Sequence, residues 1–276
     1  VYQINILVGT LLASLLPEGS VSYLYYADRL VQFPLGIFAI ATATAVLPSL
    51  SRQAADGDLN ALGRTFAHAM RLVLFITVPS MVGLIVLREP IVALLFKRGA
   101  FDAQTTRLTA VALLYYGIGL WAFSAVRIVV STFYALQDTK TPVQMAAIAI
   151  GVNIVMSLVL MGPLKHGGLA LATSLASMVN LGLLILALAK RLGPIDWGSI
   201  GASLVKTVVS SGIMGGAVWI GAWLVLPSDG GGTAILLVGL LATILAGIVS
   251  YGTSACLLKS AELKELLTTF RKTSRE

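Results

Sequence analysis

The chain has 276 residues, of which 57% are hydrophobic and only 11% are charged, and its mean hydropathy is +0.92. Soluble domains carry about 25% charged residues, so the composition excludes a water-soluble enzyme or nucleic-acid-binding domain. The net charge of +7 is typical of a membrane protein with basic loops on one face of the bilayer. We therefore predict an all-α, polytopic transmembrane helix bundle.

Eight apolar segments reach or approach the roughly 20 residues that a helix needs to cross the hydrocarbon core. They cover residues 1–16, 21–47, 66–87, 106–136, 142–162, 168–189, 199–226 and 232–258. Clusters of proline, glycine and polar residues, such as 17–20 and 228–232, separate them and indicate turns in water. The first segment begins at Val1 without a methionine, so we expect it to be truncated and the chain to be the C-terminal part of a longer protein.

Basic residues divide unevenly between the two sides of these segments. The larger group is Arg52, Arg64, Arg71, Lys140, Lys190, Arg191, Lys206, Lys259, Lys264, Arg271, Lys272 and Arg275, and the smaller group is Arg88, Lys97, Arg98, Arg107 and Lys165. Cytoplasmic loops carry the excess of lysine and arginine. We therefore expect the side with the larger group, and with it the C-terminus, to be cytoplasmic.

The last residues, 259–276, follow a different pattern from the rest of the chain. Apolar residues recur there at helical spacing, at Leu263, Leu266, Leu267 and Phe270, with basic residues off that stripe. The pattern predicts an amphipathic tail helix on the cytoplasmic leaflet. A helix that binds a regulatory partner is the alternative.

Three formal charges fall inside the predicted spans: Asp28, Arg29 and Arg127. A charge in the membrane costs about 2.5–3.5 kcal/mol on insertion scales, so such residues usually face a cavity or a partner. Arg29 lies on a polar stripe of one helix with Ser22, Tyr25, Gln32 and Gly36. Its guanidinium suits phosphate or carboxylate binding, and Asp28 points about 100° away from it, which disfavours a direct pair. Pro34 predicts a kink beside the stripe.

Arg127 has two interpretations, a binding residue or a cation that reaches toward the interface. Its helical face is shared by Ser124, Ser131 and Tyr134. The candidate substrate-binding residues are thus Tyr25, Asp28, Arg29, Gln32 and Arg127. Asn153, Ser157 and Thr173 are polar positions on two other spans, for which interhelical hydrogen bonding is favoured over a cation site. No catalytic residue, cofactor or metal site is predicted, because no motif for one is present and Cys256 is the single cysteine.

Three stretches of the chain resemble the MurJ/MviN family, the bacterial lipid II flippases. They are YYADRLVQFPLGIFAIATATAVLPSLSR at 25–52, LFKRGAFD at 95–102 and FYALQDTKTP at 133–142. The resemblance implies a fourteen-helix transporter without enzymatic activity, of which this chain would be a second six-helix lobe (1–190), a C-terminal helix pair (191–258) and the tail (259–276). The family's required arginine in this lobe matches Arg29.

The resemblance also implies the partners and the mechanism. Lipid II would be moved from the inner to the outer leaflet of the bacterial cytoplasmic membrane by alternating access, with its diphosphate in a cationic cavity. The first lobe of the same protein and membrane lipids would be the other partners, and the protein would be a monomer. No cofactor is expected, and an ion gradient, the membrane potential or downstream consumption of lipid II would drive the transfer. No nucleic acid partner is expected.

Other functions stay open at this point. An exporter of the same superfamily would share the architecture and carry another polyprenyl-linked glycan or a drug. A membrane enzyme acting on polyprenyl phosphates would need clustered catalytic side chains, and the segment 88–107 lacks their spacing. A scaffold without transport would not require Arg29 in the membrane.

Overall fold

The computed structural model describes residues 2–99, 101–192, 195–226, 232–265 and 268, with the backbone alone for residues 2–5. All regular structure in these residues is helical. The helices are α1 (Tyr2–Ser14), α2 (Ser20–Pro34), a π-helical segment (Leu35–Ile40), α3 (Ala41–Ala55), α4 (Leu59–Val86), α5 (Arg88–Phe96), α6 (Ala103–Ile118), α7 (Leu120–Ala135), α8 (Lys140–Leu164), α9 (His166–Leu192), α10 (Trp197–Val225) and α11 (Thr233–Leu257).

The predicted all-α membrane bundle is confirmed. Six helical segments in the described residues are long and apolar enough to cross a membrane, and the bent pair α6–α7 makes a seventh. The helix α1 has 13 residues, which is shorter than a membrane crossing. The count of about eight spans therefore agrees approximately, with α1 as the short one.

The span predicted over 106–136 is broken in the structure, because α6 and α7 meet at an angle of 43° around Gly119. In a regular helix the Gly119 N–H would donate to the carbonyl of Tyr115. Here it donates to Tyr116 at 3.0 Å, and the hydroxyl of Ser174 on α9 donates to the Tyr115 carbonyl at 2.7 Å. A Cβ at position 119 would lie 2.5 Å from the Ser174 oxygen, so only glycine allows this approach.

The distortion predicted at Pro34 takes the form of a widened turn. The six residues of the π segment follow Pro34 directly and run into α3 without a break in the helix. Proline has no N–H and its ring crowds the preceding turn, and π turns inside a helix accommodate such a break in the hydrogen-bond ladder. The sequence indicated the place of the distortion but not its geometry.

Two helices extend further than the hydropathy pattern predicted. The span placed at 21–47 continues as helix to Ala55, and the span placed at 66–87 begins at Leu59. The carboxylate of Asp58 caps that start by accepting the Ala61 N–H at 2.8 Å. Hydropathy marks the length of helix in lipid, whereas capping sets where the helix ends in water.

The main core lies where α4, α7 and α9 meet, around Phe66, Phe133, Leu184 and Leu188, all of which are buried. A second cluster joins α2 to α6 and α9. The pair α10–α11 packs on the outside of α4 through a third cluster. The chain thus has α1 to α9 gathered around the first two clusters and the last two helices added at one side. The proposed boundary at residue 190 stays a prediction.

Candidate functional site

A cavity of about 670 Å³ opens between the helix formed by α2 and the π segment, and α7, α8 and α9. Its wall is mostly apolar. The polar side chains at the wall include Asp28, Gln32, Arg127, Tyr134, Asn153 and Asn180. Concave, mostly apolar sites with a few placed polar groups are typical of ligand pockets, so this cavity is the candidate site.

Asp28, Arg29 and Gln32 form one network on α2. The Gln32 amide donates to the Asp28 carboxylate, and its carbonyl oxygen accepts from Arg29 Nη1 at 3.1 Å. Among the ion pairs of the described residues, none joins Asp28 directly to Arg29. Gln32 bridges the two charges, which the spacing of the residues did not predict.

Arg29 and Tyr25 lie beside the cavity, not in its wall. The guanidinium carbon of Arg29 is 4.8 Å from the centre of the Tyr25 ring, a cation–π contact. Both residues are exposed on this chain, and Tyr25 is 54% accessible. Arg29 therefore points away from the pocket that Asp28 and Gln32 line, toward the surface that this chain leaves open.

Arg127 faces the cavity from α7, across from α2, together with Tyr134. It is exposed, and it makes no hydrogen bond or ion pair within the described residues. Ser124, predicted on the same helical face, does not reach the cavity, because it is fully buried and donates to the Leu120 carbonyl at 2.8 Å. The structure thus brings Asp28, Gln32 and Arg127 to one cavity and leaves Tyr25 and Arg29 outside it.

Sequence reasoning missed Asn180 on α9. Its side-chain carbonyl oxygen is buried and has no hydrogen-bond partner within the described residues, and it borders the cavity that Arg127 faces. Thr173, Ser177 and Asn180 stand at i, i+4 and i+7 and all three line the cavity. That helical spacing was the signal that could have found it.

The polar positions on α8 and α9 satisfy one another. The Asn153 amide donates to Thr173 Oγ1 at 3.2 Å, and Ser157 donates to Asn153 Oδ1 at 3.1 Å. Thr173 in turn donates to the Leu169 carbonyl at 3.0 Å. The predicted interhelical hydrogen bonding is confirmed. No group of three His, Cys, Asp or Glu side chains converges in the part of the chain that the structure describes.

The second stretch with family resemblance packs against the first. Phe96 at the end of α5 and Phe101 in the following loop contact the ring of Tyr26, with ring centres 4.8 Å and 5.4 Å away. Tyr26 lies next to Tyr25 on α2, with ring centres 5.8 Å apart. These aromatic contacts fix the end of α2 that carries the Asp28–Arg29–Gln32 network.

The third stretch forms a turn that holds α7, α8 and α9 together. Asp138 accepts from the N–H groups of Lys140 and Thr141 and from the Thr141 hydroxyl, and it pairs with Arg191 at 2.7 Å. These hydrogen bonds from Thr141, with a smaller effect of Arg191, hold the pKa of Asp138 below its ordinary value. The turn is therefore a structural element that sets the positions of the helices around the cavity.

The comparisons with known proteins agree on one family. The family model of lipid II flippase MurJ matches residues 1–250. A probable lipid II flippase MurJ of Vibrio cholerae serotype O1 is 41% identical over 184 residues, which is 67% of this chain and 35% of the relative. One from Rhizobium meliloti is 37% identical over 252 residues, 88% of this chain and 46% of the relative. The lipid II flippase MurJ of Burkholderia cenocepacia is 39% identical over 194 residues, 69% and 37% of the two chains.

Two solved structures share the fold. Lipid II flippase MurJ in an inward closed conformation superimposes with a TM-score of 0.75 at 28% identity, covering 93% of this chain and 51% of the other. A transporter of the multidrug and polysaccharide exporter superfamily from Pyrococcus furiosus matches at 0.59 with 14% identity, over 96% and 63% of the two chains, and supports the fold alone. The chain spans 35% to 46% of the length of the three relatives above.

Proposed function

Since the chain belongs to the MurJ family of lipid II flippases, we propose that it supplies the C-terminal part of a protein that moves lipid II across the bacterial cytoplasmic membrane. Lipid II is an undecaprenyl-diphosphate-linked disaccharide-pentapeptide. The protein is a multi-pass membrane protein. Its part in the transfer is to bind and release, and it catalyses no covalent step.

The observation that carries this proposal is the placement of Arg29. A guanidinium in a membrane span costs free energy unless it faces a cavity or a binding partner. Gln32 and Tyr25 orient the Arg29 guanidinium on a face that this chain leaves exposed. Arginine forms paired, charge-assisted hydrogen bonds with phosphate oxygens. We assign the diphosphate of lipid II to Arg29, which faces the remaining lobe of the protein.

The cavity beside Arg29 supplies the second contact. Arg127 faces it without a partner in the described residues, and Asn180 borders it with a buried, unpaired amide oxygen. An uncompensated cation and an unsatisfied amide favour a bound polar group. We assign this wall, with Asp28 and Gln32 opposite, to polar parts of the headgroup, while the prenyl chain stays in lipid.

Transport by alternating access requires that the two lobes move about this site. The remaining lobe of the same protein and the surrounding lipids are the proposed partners, and the protein acts as a monomer. An ion gradient or the membrane potential drives the cycle, and no cofactor takes part. The C-terminus is cytoplasmic in this proposal. Two of the basic residues that support this orientation, Arg71 and Lys206, lie close to the start of the tail.

The test is complementation in bacteria depleted of their own lipid II flippase, using the intact protein that carries this chain. Arg29→Ala is expected to abolish growth and outward exposure of lipid II, and Arg29→Lys to reduce both, because an ammonium lacks the planar fork. Phe33→Ala is the control, since Phe33 is exposed on the same helix and 69% accessible. All variants are compared at equal membrane levels.

Each result bears on a different part of the proposal. Rescue by the intact protein and the control, but not by Arg29→Ala, supports both the substrate and the site. Rescue by every variant keeps the flippase and rejects Arg29 as a binding residue. No rescue by an inserted intact protein rejects lipid II and favours another substrate of the same exporter superfamily.

A further inference from the structure

The chain turns sharply after α11 and meets two other helices. Lys259 has a φ of +51°, and the Ser260 N–H donates to the Ala255 carbonyl at 3.0 Å while the Lys259 N–H donates to Cys256. A residue in the left-handed region with these two bonds is a Schellman end to a helix. It directs residues 259–265 back against the first halves of α4 and α10, so this part of the tail packs on protein.

Glu262 is the centre of that contact. It is 5% accessible, and its two oxygens accept from Ser203 on α10 at 2.9 Å and from Ser260 at 2.8 Å. Arg71 Nε on α4 lies 3.5 Å from the same carboxylate. One buried carboxylate therefore joins three separate parts of the chain: α4, α10 and the segment after α11.

Two contacts at the edge reinforce the same arrangement. Lys206 on α10 donates to the Lys259 carbonyl at 3.4 Å, and His68 on α4 lies 3.1 Å from Glu265. Deeper along the interface, the Tyr251 hydroxyl on α11 donates to the Phe75 carbonyl on α4 at 2.6 Å. The tail thus continues an interface that α10 and α11 already form with α4.

The ionised state of Glu262 fits this position. Burial by itself raises the pKa of Glu262, but hydrogen bonds from its own N–H, Ser260 and Ser203, together with the Arg71 charge, outweigh it and hold the pKa below its ordinary value. A buried charge is tolerated only when its partners are in place. The arrangement is therefore specific, because losing any one partner leaves a charged or polar group unsatisfied.

We propose that residues 259–265 form a clasp that locks the α10–α11 pair to α4, so that the last two helices move with the lobe as one body. The clasp differs from an amphipathic tail that only rests on the leaflet, and it does not depend on which substrate the protein carries. Of the apolar stripe predicted for the tail, Leu266, Leu267 and Phe270 lie outside the described residues.

Distance measurements between spin labels test the clasp in the intact, detergent-solubilised protein. Labels on Arg64→Cys and Lys264→Cys, both exposed and outside the contacts described above, report the tail against α4 once Cys256 is replaced by serine. Because the carboxylate holds three elements together, Glu262→Ala is expected to broaden this distance distribution about two-fold. A second pair, Arg64→Cys with Gly201→Cys, reports whether α10 shifts as well.

Matched variants separate the clasp from general damage. Glu262→Gln and Arg71→Gln each leave an unpaired group and should broaden the distribution, whereas the double variant should broaden it less than either single one. Glu265→Gln, at the 48% accessible edge contact, should broaden it much less than Glu262→Gln, because an exposed ion pair contributes little. Unchanged widths in Glu262→Ala and Glu262→Gln, or equal broadening by Glu265→Gln, would overturn the proposal. Only protein that elutes as a single species is compared.

Discussion

Gln32 is the residue that makes two adjacent charges compatible with a membrane span. Asp28 and Arg29 point to different sides of α2, so neither can neutralise the other directly. The amide of Gln32, one turn further on, donates to the carboxylate and accepts from the guanidinium. A side chain with both a donor and an acceptor is needed for this, and it couples the cavity wall to the exposed arginine.

Replacing Gln32 by leucine tests that coupling. The variant keeps the size of the side chain but removes both hydrogen bonds, so Arg29 loses its acceptor and Asp28 its donor. We expect lipid II exposure to fall about ten-fold, the equivalent of about 1.4 kcal/mol, which is less than the loss in Arg29→Ala. Phe33→Leu is the control on the same helix and should be neutral. If Gln32→Leu were as active as Phe33→Leu, Arg29 would have to be oriented by a residue other than Gln32.

At the scale of single residues, helical spacing predicted which side chains meet within one helix. The stripe of Tyr25, Arg29 and Gln32 is one face of one helix, and spacing alone places it there. The same arithmetic put Ser124 beside Arg127, but a serine in a helix can donate to the carbonyl four residues back and be buried. Asn180 was missed because its meaning depends on α9 lying opposite α7, which no single helix reveals.

At the scale of helices, the irregular elements depend on contacts between segments. The break at Gly119 requires Ser174, which is 55 residues later, to take the Tyr115 carbonyl. A glycine inside an apolar segment does not by itself predict such a contact, because glycine is common in membrane helices. The π segment after Pro34 is more predictable than the break at Gly119, since the proline shows where the helix is distorted. Whether the distortion is a kink or a widened turn depends on the packing of neighbouring helices.

The turn at Asp138 should stabilise the bundle more than an ordinary helix cap. Asp138 caps α8 and also pairs with Arg191 at the end of α9, whereas Asp196 caps α10 through Ser199 and has no ion pair within the described residues. Removing a cap costs about 1 kcal/mol, so Asp138→Ala should lower the melting temperature in detergent more than Asp196→Ala. Equal shifts would mean that the Arg191 contact is solvated and contributes nothing.

The same carboxylate gives a pH dependence with a definite sign. The pKa of Asp138 is lowered in the folded protein, so its stabilisation is fully present above the ordinary value of 3.8 and is lost as the pH falls through the lowered pKa. The difference in melting temperature between the parent and Asp138→Ala should therefore be constant from neutral pH down to about pH 5 and disappear in strong acid. If this difference in melting temperature already shrank near pH 6, a titratable group other than Asp138 would be responsible.

At the scale of the whole molecule, small residues decide how the last two helices attach. Lipid tails offer no hydrophobic force between helices, so close approach is needed for dispersion contacts. Gly215 on α10 is buried, and a Cβ there would lie 2.7 Å from Val82 on α4; Gly247 on α11 is similarly close to Val218 on α10. Sequence alone showed glycines at several positions of α10 but not which of them face α4.

Two glycines three residues apart on α10 provide the test of this attachment. Gly215→Leu must displace Val82 or separate α10 from α4, and overpacking of this kind costs about 1–3 kcal/mol. Gly212→Leu adds the same side chain at an exposed position with nothing within 4 Å of a Cβ, and leucine favours the helix over glycine by up to about 1 kcal/mol. We expect the first variant to melt several degrees below the parent and the second to match or exceed it, measured by thermal unfolding in detergent. If both variants melt alike, α10 is held to α4 by other contacts, such as the one that Ser203 and Arg71 share through Glu262, and not by the close contact at Gly215.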